Sequence, residues 1–228
     1  APTARDPAEF RCRFQQLAGP IMAKATEDTF FYRYNCLLAA NEVGSEPAAE
    51  PSGIAGFHLQ MQRRLRQQPL GMSSTSTHDT KRGEDARARL YALSEGVDAW
   101  MTALPRWRLR NSPLVSHRSD GMVPDLNVEW MLYQALLGII PDHIEADDLP
   151  SLQERFCAYA LKAVREAKLN TNWTAPDSDY EKAVQHFARG LVSIDNLDFL
   201  TDFADLSRPF VASGKLNTLV QTLVKLMA

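Results

Sequence analysis

Three cysteines in 228 residues is too few for a disulfide scaffold. Cys12, Cys36 and Cys157 are odd in number and far apart, with no CxxC or zinc-ligand spacing. They read as reduced, mostly buried thiols. No apolar run approaches the length of a membrane span. The first ten residues, APTARDPAEF, lack the apolar centre of a signal peptide. A cytoplasmic location and no membrane partner are expected. No excess of one charge is present either: 25 basic against 28 acidic residues give a net charge of -3. That balance excludes the basic footprint of a nucleic-acid binder. There is no plausible serine elbow, and runs of β-branched and aromatic residues are scarce.

Helical periodicity fills most of what remains. Over 84–104, Leu90, Leu93, Val97, Met101 and Leu104 recur at spacings of three and four. Over 126–140, Val128, Met131, Leu132, Ala135, Leu136 and Ile139 do the same, with Gly138 and Pro141 as stops. Ser151 with Glu154, and Ser178 with Glu181, form capping-box patterns at two further helix starts. The stretches 8–19, 27–42 and 215–227 also read as helices. The composition of 43–56 predicts a loop, and three prolines over 105–124 predict a long connection. A short strand is expected at most near 70–77. The fold class is therefore mainly α, and a change of character near residue 85 divides 1–85 from 86–228.

Two polar stretches exceed what helix packing requires. One is AKATEDTFFYRYN, residues 23–35, and the other is THDTKRGED, residues 77–85. In the second, Asp79 reads as a buried carboxylate of a sugar or phosphate site, and His78 as a holder of a substrate hydroxyl, since an imidazole both donates and accepts. Lys81 and Arg82 could meet ligand oxygens. The bland reading is a helix start near Lys81 capped by Thr80 or Asp79, with Glu84 and Asp85 favoured by the helix dipole. In the first stretch, Lys24, Asp28 and Tyr32 share a face at spacings of four. That pattern fits a surface ion-paired helix as well as a site. His58, His117, His143 and His186 have no carboxylate company at metal spacing, and no metal site is expected. The four tryptophans, Trp100, Trp107, Trp130 and Trp173, read as core or interface anchors.

Taken together and in order, the stretches carry more. FQQLAGPIMAKATEDTFFYRYNCLLAANEVG, FH, STHDTKRGEDARARLYALSE, PDLNVEWMLYQALLG, YALKAVREAKLNTNWTAPDSDYEKAV and GKLNTLVQTLVKL resemble maltooligosyltrehalose synthase, a family of the α-amylase clan (glycoside hydrolase family 13-like). Ala25 and Thr26 depart from that family's pattern, which reads glycine and an apolar residue there.

The resemblance implies a (β/α)8-barrel parent much longer than this chain. Residues 1–85 would be barrel-flanking helices, a loop and the end of a barrel strand. Residues 86–228 would be a helical subdomain inserted in the barrel. The catalytic nucleophile and acid/base would lie outside this chain. Thr77-His78-Asp79 resembles a conserved clan region at a strand's C-terminal end, where barrel chemistry sits. By that likeness Asp79 would stabilise the transition state and His78 would bind the same sugar. Lys24, Glu27, Lys81 and Arg82 would bind substrate on the acceptor side.

The implied reaction is an intramolecular transglycosylation, an isomerisation. The reducing-end α-1,4 link of a maltooligosaccharide would be re-formed as α,α-1,1, in trehalose biosynthesis. No cofactor is implied. Expected partners are the oligosaccharide, the remainder of the parent enzyme and a functionally coupled trehalose-releasing hydrolase. The isolated chain is expected to be inactive. The alternative is a non-catalytic helical module that binds carbohydrate or a protein.

Overall fold

In a computed structural model, residues 6–227 of the chain are described. Eight α-helices dominate them: α1 (Pro7–Met22), α2 (Gly53–Gln67), α3 (Glu84–Leu93), α4 (Val97–Asn111), α5 (Leu126–Ile139), α6 (Leu149–Ala167), α7 (Ser178–Leu191) and α8 (Leu197–Met227). A small antiparallel hairpin joins β1 (Ser116–Arg118) to β2 (Gly121–Val123), with Ser116 opposite Val123. The mainly helical class holds, but the strands lie elsewhere than expected. Residues 70–77 form no strand. Their backbone has no ladder partner among the described residues, and hydroxyl side chains such as Ser74 and Thr77 bond locally instead.

The core sits among α3 to α8. Trp100, Trp107, Tyr133, Phe187, Phe199 and Phe203 are all fully buried. Trp100 and Trp107 meet edge to face with centroids 4.9 Å apart, the favoured aromatic geometry. Tyr32, Leu38 and Ala39 from the N-terminal part join this same core.

Several boundaries differ from the periodic reading, each for a visible reason. The stretch 84–104 is two helices, broken at Ser94-Glu95-Gly96. A Cβ at Gly96 would lie 2.4 Å from the Phe210 ring, so the break allows a close approach. Beyond it Val97 and Met101 face solvent, while Trp100, Ala103 and Trp107 face the core. Residues 105–124 are mostly structured. Pro105 lies inside α4, where burial of Trp107 and Asn111 outweighs one lost backbone bond. A short 3-10 turn, the hairpin and a cis bond before Pro124 follow. Gly138 does not stop α5. It sits within the helix, beside Ala86 of α3.

Neither capping box forms. α6 starts earlier, at the buried Leu149, with Pro150 in its first turn, so Ser151 is already helical. α7 is capped by Asp177, whose carboxylate accepts from the amides of Asp179 and Tyr180. Glu181 turns to the Arg165 guanidinium (2.6 Å) and the Thr171 hydroxyl (2.6 Å) instead. Two of the three cysteines, Cys12 and Cys36, are exposed, and Cys157 alone is buried.

α1 and α2 bury no residue at all. Phe10, Phe14, Leu17 and Ile21 of α1 stay open to solvent, as do Ile54, Phe57 and Leu65 of α2. Leu216, Leu219, Val220 and Leu223 in the second half of α8 do likewise. No described helix is long and apolar enough to cross a membrane.

Candidate functional site

The two polar stretches meet in space. Residues 27–42 form no continuous helix, contrary to the periodic reading. α1 ends in a π-helical turn (Ala23–Glu27), and two short 3-10 turns follow, Phe30–Tyr32 and Leu38–Ala40. The chain breaks there because Phe31, Tyr32, Leu38 and Ala39 all bury toward the core, a set no single helix face presents. Asn41 secures the broken path. Its buried amide donates to the carbonyls of Phe31 (2.9 Å) and Tyr34 (2.5 Å).

Asp28 is the hub of the resulting cluster. One carboxylate oxygen accepts from Lys24 Nζ and the other from Lys81 Nζ, the latter at 2.7 Å across 53 residues of sequence. Burial pushes this carboxyl up, but the two lysine hydrogen bonds outweigh it and hold it below its ordinary value. The Lys24 ammonium is raised, first by its hydrogen bond to Asp28 and then by that residue's charge. Lys168, at the left-handed C-cap of α6, donates to Thr29 Oγ1 at 2.6 Å and closes the cluster from the other side.

Lys81 and Arg82 point apart. The Arg82 guanidinium donates to Tyr159 Oη at 2.8 Å and to the Leu38 carbonyl at 3.2 Å. It walls a cavity of about 220 Å³ together with Arg155, Phe156 and Tyr159. Glu27 accepts from the Gly44 amide at 3.3 Å. Gly44 itself has φ +77°, a conformation glycine adopts without steric cost.

His78 and Asp79 make no hydrogen bond or ion pair to this cluster, although the Asp79 charge reaches Lys24. They occupy a turn closed by the Thr80 amide on the Thr77 carbonyl at 3.2 Å. Their side chains are 91% and 70% exposed and face each other, His78 Nε2 to Asp79 Oδ2 at 3.3 Å. The bland capping reading of this stretch does not hold. α3 starts at Glu84 with Gly83 before it and no side-chain cap. Among the described residues no cluster of histidine, cysteine and carboxylate could hold a metal ion.

Chemically, the two stretches combine an acceptor from hydroxyls (Asp79), an exposed donor (Lys24), two largely covered donors (Lys81, Arg82) and a group that both donates and accepts (His78), the set a polyhydroxyl ligand uses. Half-exposed Phe30, stacked on Tyr34 at 5.3 Å, adds an aromatic edge. Sequence reasoning brought Lys24, Glu27, Lys81 and Arg82 forward and placed Asp28 beside Lys24, but left out Glu42 and Tyr159, to which Lys81 and Arg82 are tied. Asp28 had a local signal in its spacing to Lys24; Glu42 and Tyr159 act only across the fold.

A helical unit with one polar loop cluster and three bare apolar helix faces is a subdomain shaped to lie against more protein. Comparisons with known proteins say which. No family model matches. A protein of Mycobacterium tuberculosis, provisionally named maltooligosyl trehalose synthase, is 38% identical over 173 residues, 75% of this chain and 21% of that protein. The crystal structure of a maltooligosyl trehalose synthase superposes with a TM-score of 0.83 at 30% identity, covering 97% of this chain and 28% of the other. The Arthrobacter ramosus maltooligosyltrehalose synthase superposes with a TM-score of 0.74 at 34% identity, over 95% of this chain and 26% of its own. By sequence and by fold, then, the chain corresponds to a helical stretch of maltooligosyl trehalose synthases. It spans 21% of the length of the curated relatives it matches.

Proposed function

We propose that this chain works as the helical subdomain of a maltooligosyl trehalose synthase and contributes one wall of its active site. One observation carries the reading: 97% of the chain follows one stretch of such a synthase at 30% identity. In this reading the enzyme is an isomerase of trehalose biosynthesis. It opens the reducing-end α-1,4 link of a maltooligosaccharide and re-forms it as α,α-1,1 within the same molecule. Retaining double displacement accounts for the kept anomer. Isomerisation rather than hydrolysis requires the freed glucose to be held while water is excluded.

Asp79 grips hydroxyls of the glucose at the bond being broken, with contacts that strengthen as positive charge develops on the ring. His78 binds the same sugar. Lys24, Glu27, Lys81 and Arg82 serve the acceptor side, the first, third and fourth as cations kept in place by Asp28 and Tyr159. The nucleophile and the acid/base come from elsewhere in the parent, so the isolated chain is inert. Residues 1–85 flank the barrel and 86–228 form the insert. A cytoplasmic setting and a trehalose-releasing hydrolase downstream belong to the same proposal.

The test is an end-group assay with maltopentaose. The full-length enzyme should consume reducing ends while this chain does not. Consumption by the 228-residue chain alone would place the essential carboxylates within it and overturn the assignment of Asp79 as a helper.

A further inference from the structure

We propose that Glu42 is a positioning residue for Lys81 and Arg82. The inference rests on the reading that these two cations serve the substrate.

Glu42 is 8% exposed, and among the described residues its carboxylate accepts hydrogen bonds from backbone amides and from no side chain. Its carboxylate is spent on backbone N–H groups. Oε1 accepts from the amides of Val43 (2.8 Å) and Lys81 (2.9 Å). Oε2 accepts from Lys81 (3.1 Å) and more weakly from Arg82 (3.4 Å). The Arg87 guanidinium faces it at 3.8 Å and offsets its charge. A buried carboxylate that accepts backbone amides fixes the peptide planes it touches.

The anchor is itself held. Ser45 closes a turn onto the Glu42 carbonyl through its amide (2.9 Å) and its hydroxyl (2.7 Å). The segment Asn41-Glu42-Val43-Gly44 therefore ties three things at once. Asn41 holds the aromatic turn, Glu42 the site loop and Gly44 the Glu27 carboxylate. Without Glu42 the amides of Lys81 and Arg82 lose the acceptor that sets where the two side chains depart. One departs toward Asp28 and the other toward Tyr159. A carboxamide is not a substitute, since its NH2 would meet N–H donors.

The experiment uses the full-length enzyme and a double-mutant cycle. E42Q should lower kcat/KM on maltopentaose by up to about a hundredfold, the scale of an ångström-sized misplacement. In the K81A/R82A background the same change should have little further effect. Amide hydrogen exchange at Lys81 and Arg82 should quicken in E42Q, while exchange at Tyr133 in the core stays slow. Should E42Q fail to fold, E42D keeps the charge beside Arg87 but is one methylene short of the loop, and it should show the same losses. Equal losses in both backgrounds, or unchanged exchange at 81 and 82, would overturn the positioning role. Undiminished turnover in K81A/R82A would instead remove the functional reading beneath it, and the proposal with it.

Discussion

The carboxylate of Asp79 lies at an open turn with the His78 imidazole beside it and solvent around the rest. Substitution there removes a group the fold does not use. Asp79→Asn in the full-length enzyme should leave melting unchanged and lower turnover by several powers of ten, roughly 3–5 kcal/mol of lost transition-state contact. A reducing-end assay reads it, and near-normal turnover would refute the role. Tyr133 is the opposite case. Its hydroxyl donates to Glu129 (2.9 Å) and accepts from Asn111 (3.2 Å) in the core, and Arg108 shares the same carboxylate. Tyr133→Phe leaves the Asn111 amide without this acceptor and Glu129 with Arg108 alone, and urea unfolding should show a loss of about 1–3 kcal/mol. Sequence could name Asp79, His78 and Lys81 as polar beyond need, because a run of such residues is visible locally. It could not name Glu42, whose bonds to the 81–82 amides span 39 and 40 positions with no period to betray them.

Between elements, contact distance decides. A Cβ at Gly214 of α8 would lie 2.9 Å from the backbone N and Cα of Arg89 in α3. Gly214→Ala should therefore destabilise by about 1–3 kcal/mol despite the better helix former, because backbone cannot swing aside. Thermal melting checks it, and a raised Tm would mean α3 and α8 can separate freely. At the start of α7, Arg118 from β1 grips Asp177 through two bonds of 3.0 and 2.8 Å. That hydrogen bond, helped by the Tyr180 amide, holds the Asp177 carboxyl down at about 2. A depressed carboxylate stabilises the fold above its unfolded value, near the ordinary range for Asp. That contribution is lost as the pH falls toward about 2. Asp177→Asn should flatten the fall of Tm over that window, and an unchanged slope would remove the linkage. The long helices were legible because burial of one face imposes a period of 3.6. Residues 27–42 were not, since their apolar positions serve several short turns. The caps were misplaced because Ser, Asp and Pro compete for adjacent positions, and only packing of Leu149 and of Arg118 chooses among them.

For the molecule as a whole, bare apolar faces on α1, α2 and the second half of α8 set its behaviour in isolation. The separate 228-residue chain should self-associate with rising concentration, seen by sedimentation, and a charge at Phe14 (Phe14→Glu) should weaken that association. A strictly monomeric chain would show that these faces are too scattered to cohere. α8 has a consequence of another kind. It is one unbroken helix of 31 residues, about 46 Å long at the usual rise. Up to Gly214 it is clasped by the core; from Lys215 onward it projects with its side chains largely uncovered. A single rod thus carries two regimes of opening. Its near half should exchange amide protons mainly with global unfolding, and its far half should open locally while the near half stays wound. A spin label at Leu223 would thereby act as a gauge of what covers that end, sharp and mobile in the separate chain and broadened once the surface is occupied.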